Sequence, residues 1–180
     1  MVGEIVSINV GEPHEVHWDG QPFSTAIFKM PISGSIEVRK LGLVGDAQAD
    51  TTVHGGPTKA VYAYPAEHYD YWIKELGDRL GWGMFGENLT TKGYTETELH
   101  VGDVLRIGSA ELTITQPRFP CFKLGIRFQD MEMVKRFQAS GRCGFYLSVR
   151  REGKIKIGDS IQLISRFESN PTIAEMFKRE

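Results

Sequence analysis

The run Val104-Leu105-Arg106-Ile107-Gly108-Ser109-Ala110-Glu111-Leu112-Thr113-Ile114-Thr115 decides the fold class. Two β-type segments, 104–107 and 111–115, flank Gly108-Ser109, a glycine-led pair of the kind that closes a tight hairpin. Further along, Phe145-Tyr146-Leu147-Ser148-Val149-Arg150 places Phe145, Leu147 and Val149 on one face of a strand. Segments 4–10, 25–29, 35–41, 60–64, 154–157 and 160–165 also read as strands, and Arg151-Glu152-Gly153 joins 145–150 to 154–157 as the next pair. The chain has 20 glycines in 180 residues, more than the usual share, and they punctuate these short segments. Such a pattern is that of a mainly β barrel or sandwich. His100-Val101-Gly102-Asp103 and Lys156-Ile157-Gly158-Asp159 each put a Gly-Asp turn before a strand, an echo too short to count as a repeat.

Two internal segments have helical periodicity. Pro65 suits a first helical position, Tyr69, Trp72, Ile73 and Leu76 share one apolar face, and Gly77 ends the run. The second covers 130–139, with Met133, Val134 and Phe137 in a stripe and Gly141 beyond it. Asn170-Pro171 predicts a last helix start, cap then proline, nine residues from the C-terminus. So short a helix needs a docking partner. The segments 42–59 and 81–92 carry no periodicity and read as long functional loops.

Composition narrows the function. Hydrophobic residues make up 41% and charged residues 24%, and 21 Lys plus Arg against 23 Asp plus Glu leave a net charge of −2. That balance argues against a general nucleic-acid or membrane-surface binder, while leaving room for a local basic pocket. No apolar run reaches the roughly 18 residues of a spanning helix, and an acid, Glu4, stands where a signal peptide carries positive charge. The expectation is a soluble, cytoplasmic protein. Two cysteines, Cys121 and Cys143, are too few for a four-thiolate zinc site or an iron–sulfur cluster. Phosphate-loop, dinucleotide and nucleophile-elbow motifs are missing. Any redox chemistry would therefore draw electrons from another protein.

Gln116-Pro117-Arg118-Phe119-Pro120-Cys121-Phe122-Lys123-Leu124 is the stretch richest in chemistry. Two prolines stiffen the backbone, and Arg118 and Lys123 flank a thiol, the setting that favours a thiolate nucleophile or metal ligand. A buried structural cysteine at a strand end fits the same residues equally well. Cys143, at a helix-to-strand turn, reads as structural. His54-Gly55-Gly56-Pro57 offers close backbone approach and amides for an anion, or a plain tight turn. Phe85-Gly86-Glu87-Asn88-Leu89 sets a polar pair on a glycine hinge. Lys29, Arg39, Lys59, Arg118 and Arg142 would make a phosphate site if several converged.

Five motifs in order, Thr25-Ala26-Ile27-Phe28-Lys29, Gly42-Leu43-Val44-Gly45-Asp46, His54-Gly55-Gly56-Pro57, Phe85-Gly86-Glu87-Asn88-Leu89 and Pro117-Arg118-Phe119-Pro120-Cys121-Phe122-Lys123, closely resemble the MOSC domain, named from the C-terminal region of molybdenum cofactor sulfurases. Within that superfamily the chain looks like the stand-alone bacterial YiiM type. The resemblance runs from about residue 4 to 165. It implies a closed or partly open antiparallel β-barrel, pyruvate-kinase-barrel-like, with a few short helices. A single domain over 1–165 would be followed, over 166–180, by the start of a helical appendage that is short or truncated here.

The resemblance further implies that Cys121 is the key residue, catalytic and ligating the molybdenum of a molybdenum-pterin cofactor, with Cys143 outside the motif. Asn88 and the basic residues Lys29, Arg39 and Arg118 would help hold the pterin and its phosphate. His54 matches its motif and joins the cofactor-binding set without a defined role. The implied activity is an oxidoreductase that reduces small N-hydroxylated compounds, such as hydroxylamino base analogues, with electrons from a separate reductase. Two alternatives share the same thiol: a persulfide sulfur carrier for metal–sulfur or cofactor assembly, and a non-catalytic carrier of the molybdenum cofactor.

Overall fold

The protein, seen in a computed structural model, is described over residues 2–47, 55–77 and 79–179. In chain order the first elements are β1 (Gly3–Val10), β2 (His14–Trp18), β3 (Gln21–Thr25), β4 (Met30–Ile32), β5 (Ser35–Arg39), β6 (Gly42–Leu43) and, after a 3₁₀ turn at Pro57–Lys59, β7 (Val61–Pro65). There follow α1 (Glu67–Leu76), β8 (Leu89–Lys92), β9 (Val104–Ile107), β10 (Ala110–Pro117), α2 (Phe122–Phe128) and α3 (Glu132–Ser140). The last are β11 (Phe145–Arg151), β12 (Gly153–Lys156), β13 (Ser160–Ser165) and α4 (Ile173–Lys178).

The hairpin signal is realised as read. Ile107 stands opposite Ala110 and Val104 opposite Thr113 across Gly108-Ser109. Gly108 sits at φ 54°, and a Cβ there would lie 2.3 Å from the Lys154 carbonyl oxygen, so only glycine fits the turn. From this hairpin the sheet runs β13-β9-β10-β11-β7-β8-β1, and β13 pairs with β1 through Gly3 opposite Ile161. The result is a closed barrel of mainly antiparallel strands with four short helices outside it. Closure removes the unpaired edges of an open sheet. One pair departs from antiparallel order. β7 and β8 run parallel, because α1 makes the crossover between them.

Several segments differ from expectation, each for a local reason. Residues 14–18 and 21–25 form a separate two-stranded hairpin, where the sequence had placed only a strand at 25–29. Its alternation is masked because most of its residues are exposed. Segment 153–156 does not fold back on β11. It pairs with β5 in a small sheet of its own, Gly153 opposite Val38. Pro65 ends β7 instead of opening α1. The last helix is capped by Thr172, whose hydroxyl accepts the Glu175 amide in a capping box, while Asn170 donates to the Val101 carbonyl.

All five residues of β7 are buried. Tyr64 stacks on Phe85 at 4.6 Å and accepts the Trp72 indole N–H at 2.7 Å, while Trp72 lies nearly parallel to Phe137. These rings lock α1 and α3 to the barrel wall behind the loop that carries Asn88. Each such aromatic pair contributes about 0.5–1.5 kcal/mol beyond its buried area.

Candidate functional site

The ends of several strands converge on one cleft, with about 680 Å³ of empty space partly open to solvent. Thr25, at the end of β3, and Ala26, Ile27 and Lys29 from the segment before β4 line it, with Asp46 and Ala47 from the loop after β6 and Gly86 and Asn88 from the approach to β8. The remaining wall is Lys59, Tyr62, Tyr146 and the β10–α2 turn with Arg118, Phe119, Cys121 and Lys123.

The two prolines do what their sequence position implies. Pro117 ends β10, and after Pro120 the backbone at Cys121 is extended (φ −130°, ψ 174°), making Cys121 the N-cap of α2. Cys121 is part-exposed and lines the cleft, whereas Cys143 is fully buried and its thiol pKa is pushed well up by that burial. Cys121 is thus not a buried residue, unlike Cys143.

Arg118 is only 6% exposed. Its guanidinium lies 5.2 Å from the centre of the Tyr62 ring and 5.3 Å from that of Phe137, and its Nη1 makes no hydrogen bond within the protein. Burial works against its charge, yet the oxygens of Tyr62 and Tyr146 and the sulfur of Cys121 outweigh it, so the pKa is raised. A buried cationic donor facing a cleft without an acceptor is costly and points to an acceptor supplied by a ligand.

Lys29 is equally buried and forms an ion pair with Asp46. Burial pulls its pKa down, against the pull of that pair. Asn88 lines the cleft, but its amide is directed into the protein: Oδ1 accepts the Tyr62 amide at 3.1 Å and Nδ2 donates to Asp46 at 2.8 Å. Beside it Glu87 is fully buried, accepting from the Tyr69 hydroxyl, the Gly83 and Phe85 amides and Thr90 Oγ1. Burial raises its pKa; those four donors hold the loop in shape.

The structure thus brings together Cys121, Arg118, Lys29 and Asn88. Arg39 stands apart: on β5 its exposed guanidinium pairs with Glu37 and Glu152, and it is not among the residues lining the cleft. Arg142 also lies elsewhere, over the Tyr71 ring. His54 lies outside the described residues, as does part of the 42–59 loop. Of the five basic residues considered for a phosphate site, Lys29, Lys59 and Arg118 line the cleft, and Lys123 joins them. Asp46 and Tyr146 were missed as site residues. Asp46 had a signal, its place in the Gly42-Leu43-Val44-Gly45-Asp46 motif, but Tyr146 had only its alternation, facing opposite to Phe145 and Leu147.

With this closed barrel, the chain matches the MOSC domain over residues 50–162 and belongs to that family. Among relatives, the protein YiiM of Escherichia coli strain K12 is 39% identical over 160 residues, covering 87% of this chain and 70% of YiiM. The crystal structure of YiiM from Geobacillus stearothermophilus superposes with a TM-score of 0.81 at 34% identity, covering 97% of this chain and 82% of that one. A protein of Gibberella moniliformis named "Reductase" is 34% identical over 151 residues, which are 82% of this chain and 27% of that protein. The family is associated with molybdenum cofactor binding.

Proposed function

We propose that the cleft binds a molybdenum-pterin cofactor through Cys121 and that the protein reduces small N-hydroxylated compounds. The observation that carries this reading is the pairing, in one cleft, of a part-exposed thiol with a buried guanidinium whose Nη1 lacks an acceptor. The residues present fit the group. A thiolate is a soft ligand suited to molybdenum beside dithiolene sulfurs, and a phosphate is the acceptor a buried guanidinium lacks. Kinship with a protein named "Reductase" agrees with redox chemistry at this fold.

When bound, the molybdenum centre would supply the two-electron step; overall, R–NHOH takes up two electrons and two protons to give R–NH2 and water. The chain's part is binding and orientation. Cys121 holds the metal, and Arg118, with Lys59 and Lys123, holds the anionic arm. Asn88 shapes the wall by fixing the Tyr62 backbone, and the two rings over Arg118 shield it from water. Electrons would come from a separate reductase.

Elemental and pterin analysis of protein made in hosts with and without cofactor synthesis tests the reading. Molybdenum and pterin should co-purify from the first host, at near one per chain, and Cys121→Ala should abolish the metal. Gently purified wild type without metal overturns it, and a cyanide-labile sulfur on Cys121 in such material would favour the sulfur-carrier alternative.

A further inference from the structure

We infer that Asp46 is the positioning residue of this cleft, a built-in anion that sets Lys29 and Asn88 in place for the cofactor. The inference rests on the proposed function above. Asp46 follows β6, and its carboxylate gathers three separate segments: the ends just after β1, before β4 and before β8. Oδ1 accepts the Gly11 amide at 2.9 Å and pairs with the Lys29 ammonium; Oδ2 accepts Asn88 Nδ2 at 2.8 Å. The Ala47 amide returns a bond to the Gly11 carbonyl, so the clip is two-sided. The side chains of Asp46 and Lys29 are 4% and 7% exposed, so water screens their attraction little.

Three consequences follow for the cleft. Lys29 is held at the wall by a fixed partner instead of sampling its rotamers, and a preorganised donor binds a ligand at lower entropic cost. Asn88 has one N–H committed to Asp46 and its oxygen to the Tyr62 amide, so Asp46 also fixes the strand that bears Tyr62, over which Arg118 lies. The Lys29 and Asp46 charges cancel. Arg118, with its open Nη1, is left as the buried cation that a ligand's anion meets.

Asp46→Asn keeps the shape but turns an amide N–H₂ toward either Lys29 or Asn88, both donors, and leaves Lys29 buried without a counter-ion. The reciprocal exchange, Asp46→Asn with Asn88→Asp, restores a donor–acceptor pair and returns one carboxylate to the cluster. The experiment loads wild type, single variant and exchange in a cofactor-competent host. It follows molybdenum and pterin retained per chain over time at 25 °C by gel filtration, beside the thermal midpoint of each preparation. The half-life of the bound cofactor should fall at least tenfold in Asp46→Asn and recover several-fold in the exchange. A purely structural role would lower the midpoint without shortening retention on folded protein. Asp46→Asn that holds cofactor as long as wild type overturns the inference and leaves the functional reading standing. Should the single variant not fold, a folded exchange that sheds cofactor as fast as Arg118→Ala overturns it equally. Wild type that never carries molybdenum sinks the functional reading and this inference with it.

Discussion

Phe119 and Phe177 stack with their centroids 5.1 Å apart and their planes 15° from parallel. α4 therefore packs directly behind the turn that presents Cys121, two residues after Phe119. Phe177→Ala removes this support and should cost about 3 kcal/mol, the usual loss for truncating a buried phenylalanine. It should also speed alkylation of Cys121 several-fold, measured by mass spectrometry in native buffer alongside urea unfolding. Lost stability with an unchanged alkylation rate would mean that α4 supports the barrel alone.

The two thiols should separate cleanly by access. Cys121 borders the cleft, while Cys143 is fully buried and pushed toward the neutral thiol. A colorimetric disulfide reagent should titrate one thiol quickly in native protein and the second only on unfolding. Cys143→Ala should cost about 1–2 kcal/mol and leave molybdenum content intact; Cys121→Ala should do the reverse, staying within about 0.5 kcal/mol of wild-type stability. Fast reaction of both native thiols would contradict the burial of Cys143.

The barrel was legible because strands such as 145–150 bury alternate residues, and Gly108-Ser109 carries its turn in its composition. Missed elements lack that contrast. β2 and β3 form an exposed hairpin that buries little, and β8 lies in a glycine-rich segment that reads as loop. α2 has seven residues, too few for periodicity to show, and begins at Phe122 directly after the cysteine. For the site, Cys121 and Arg118 were legible through local chemistry, one thiol and one cation between prolines. The place of Arg39 was not legible because sequence gives a charge but not the side of the strand it faces; only register shows it turned to Glu37 and Glu152. Asp46 acts through contacts 17, 35 and 42 residues distant, a range no local pattern covers.

Arg118 should show a trade between stability and function. Its buried Nη1 lacks an acceptor within the protein, and a buried donor left without its hydrogen bond costs stability. Arg118→Met keeps much of the packing over Tyr62 and Phe137 and removes that burden. The thermal midpoint of the empty protein should be equal to or above wild type, while retained molybdenum and pterin fall at least tenfold. Arg118→Lys should also lose cofactor, since an ammonium lacks the planar fork. A lower midpoint in Arg118→Met would show that the protein itself satisfies the guanidinium.

Glu96 ties the residue just before β11 to α1 and should govern acid stability. Its carboxylate accepts His68 Nε2 at 2.7 Å and the Gly144 amide at 2.6 Å. Burial alone would raise its pKa, but these donors, His68 foremost, bring it below the ordinary 4.5. An acid whose folded pKa is depressed stabilises above its unfolded value, and that contribution disappears as pH falls through the folded value. Glu87 has the opposite sign: its pKa is raised, so its contribution declines as pH climbs from 4.5 toward the folded value. As pH falls below the ordinary carboxylate value, wild type should thus lose the stability due to Glu96, which Glu96→Gln never had. Urea unfolding across pH 3–7 should find the variant weaker by about 2 kcal/mol at pH 7, with the gap closing below pH 4. Parallel curves over the whole range would show that the Glu96 carboxylate carries no net charge-dependent stability.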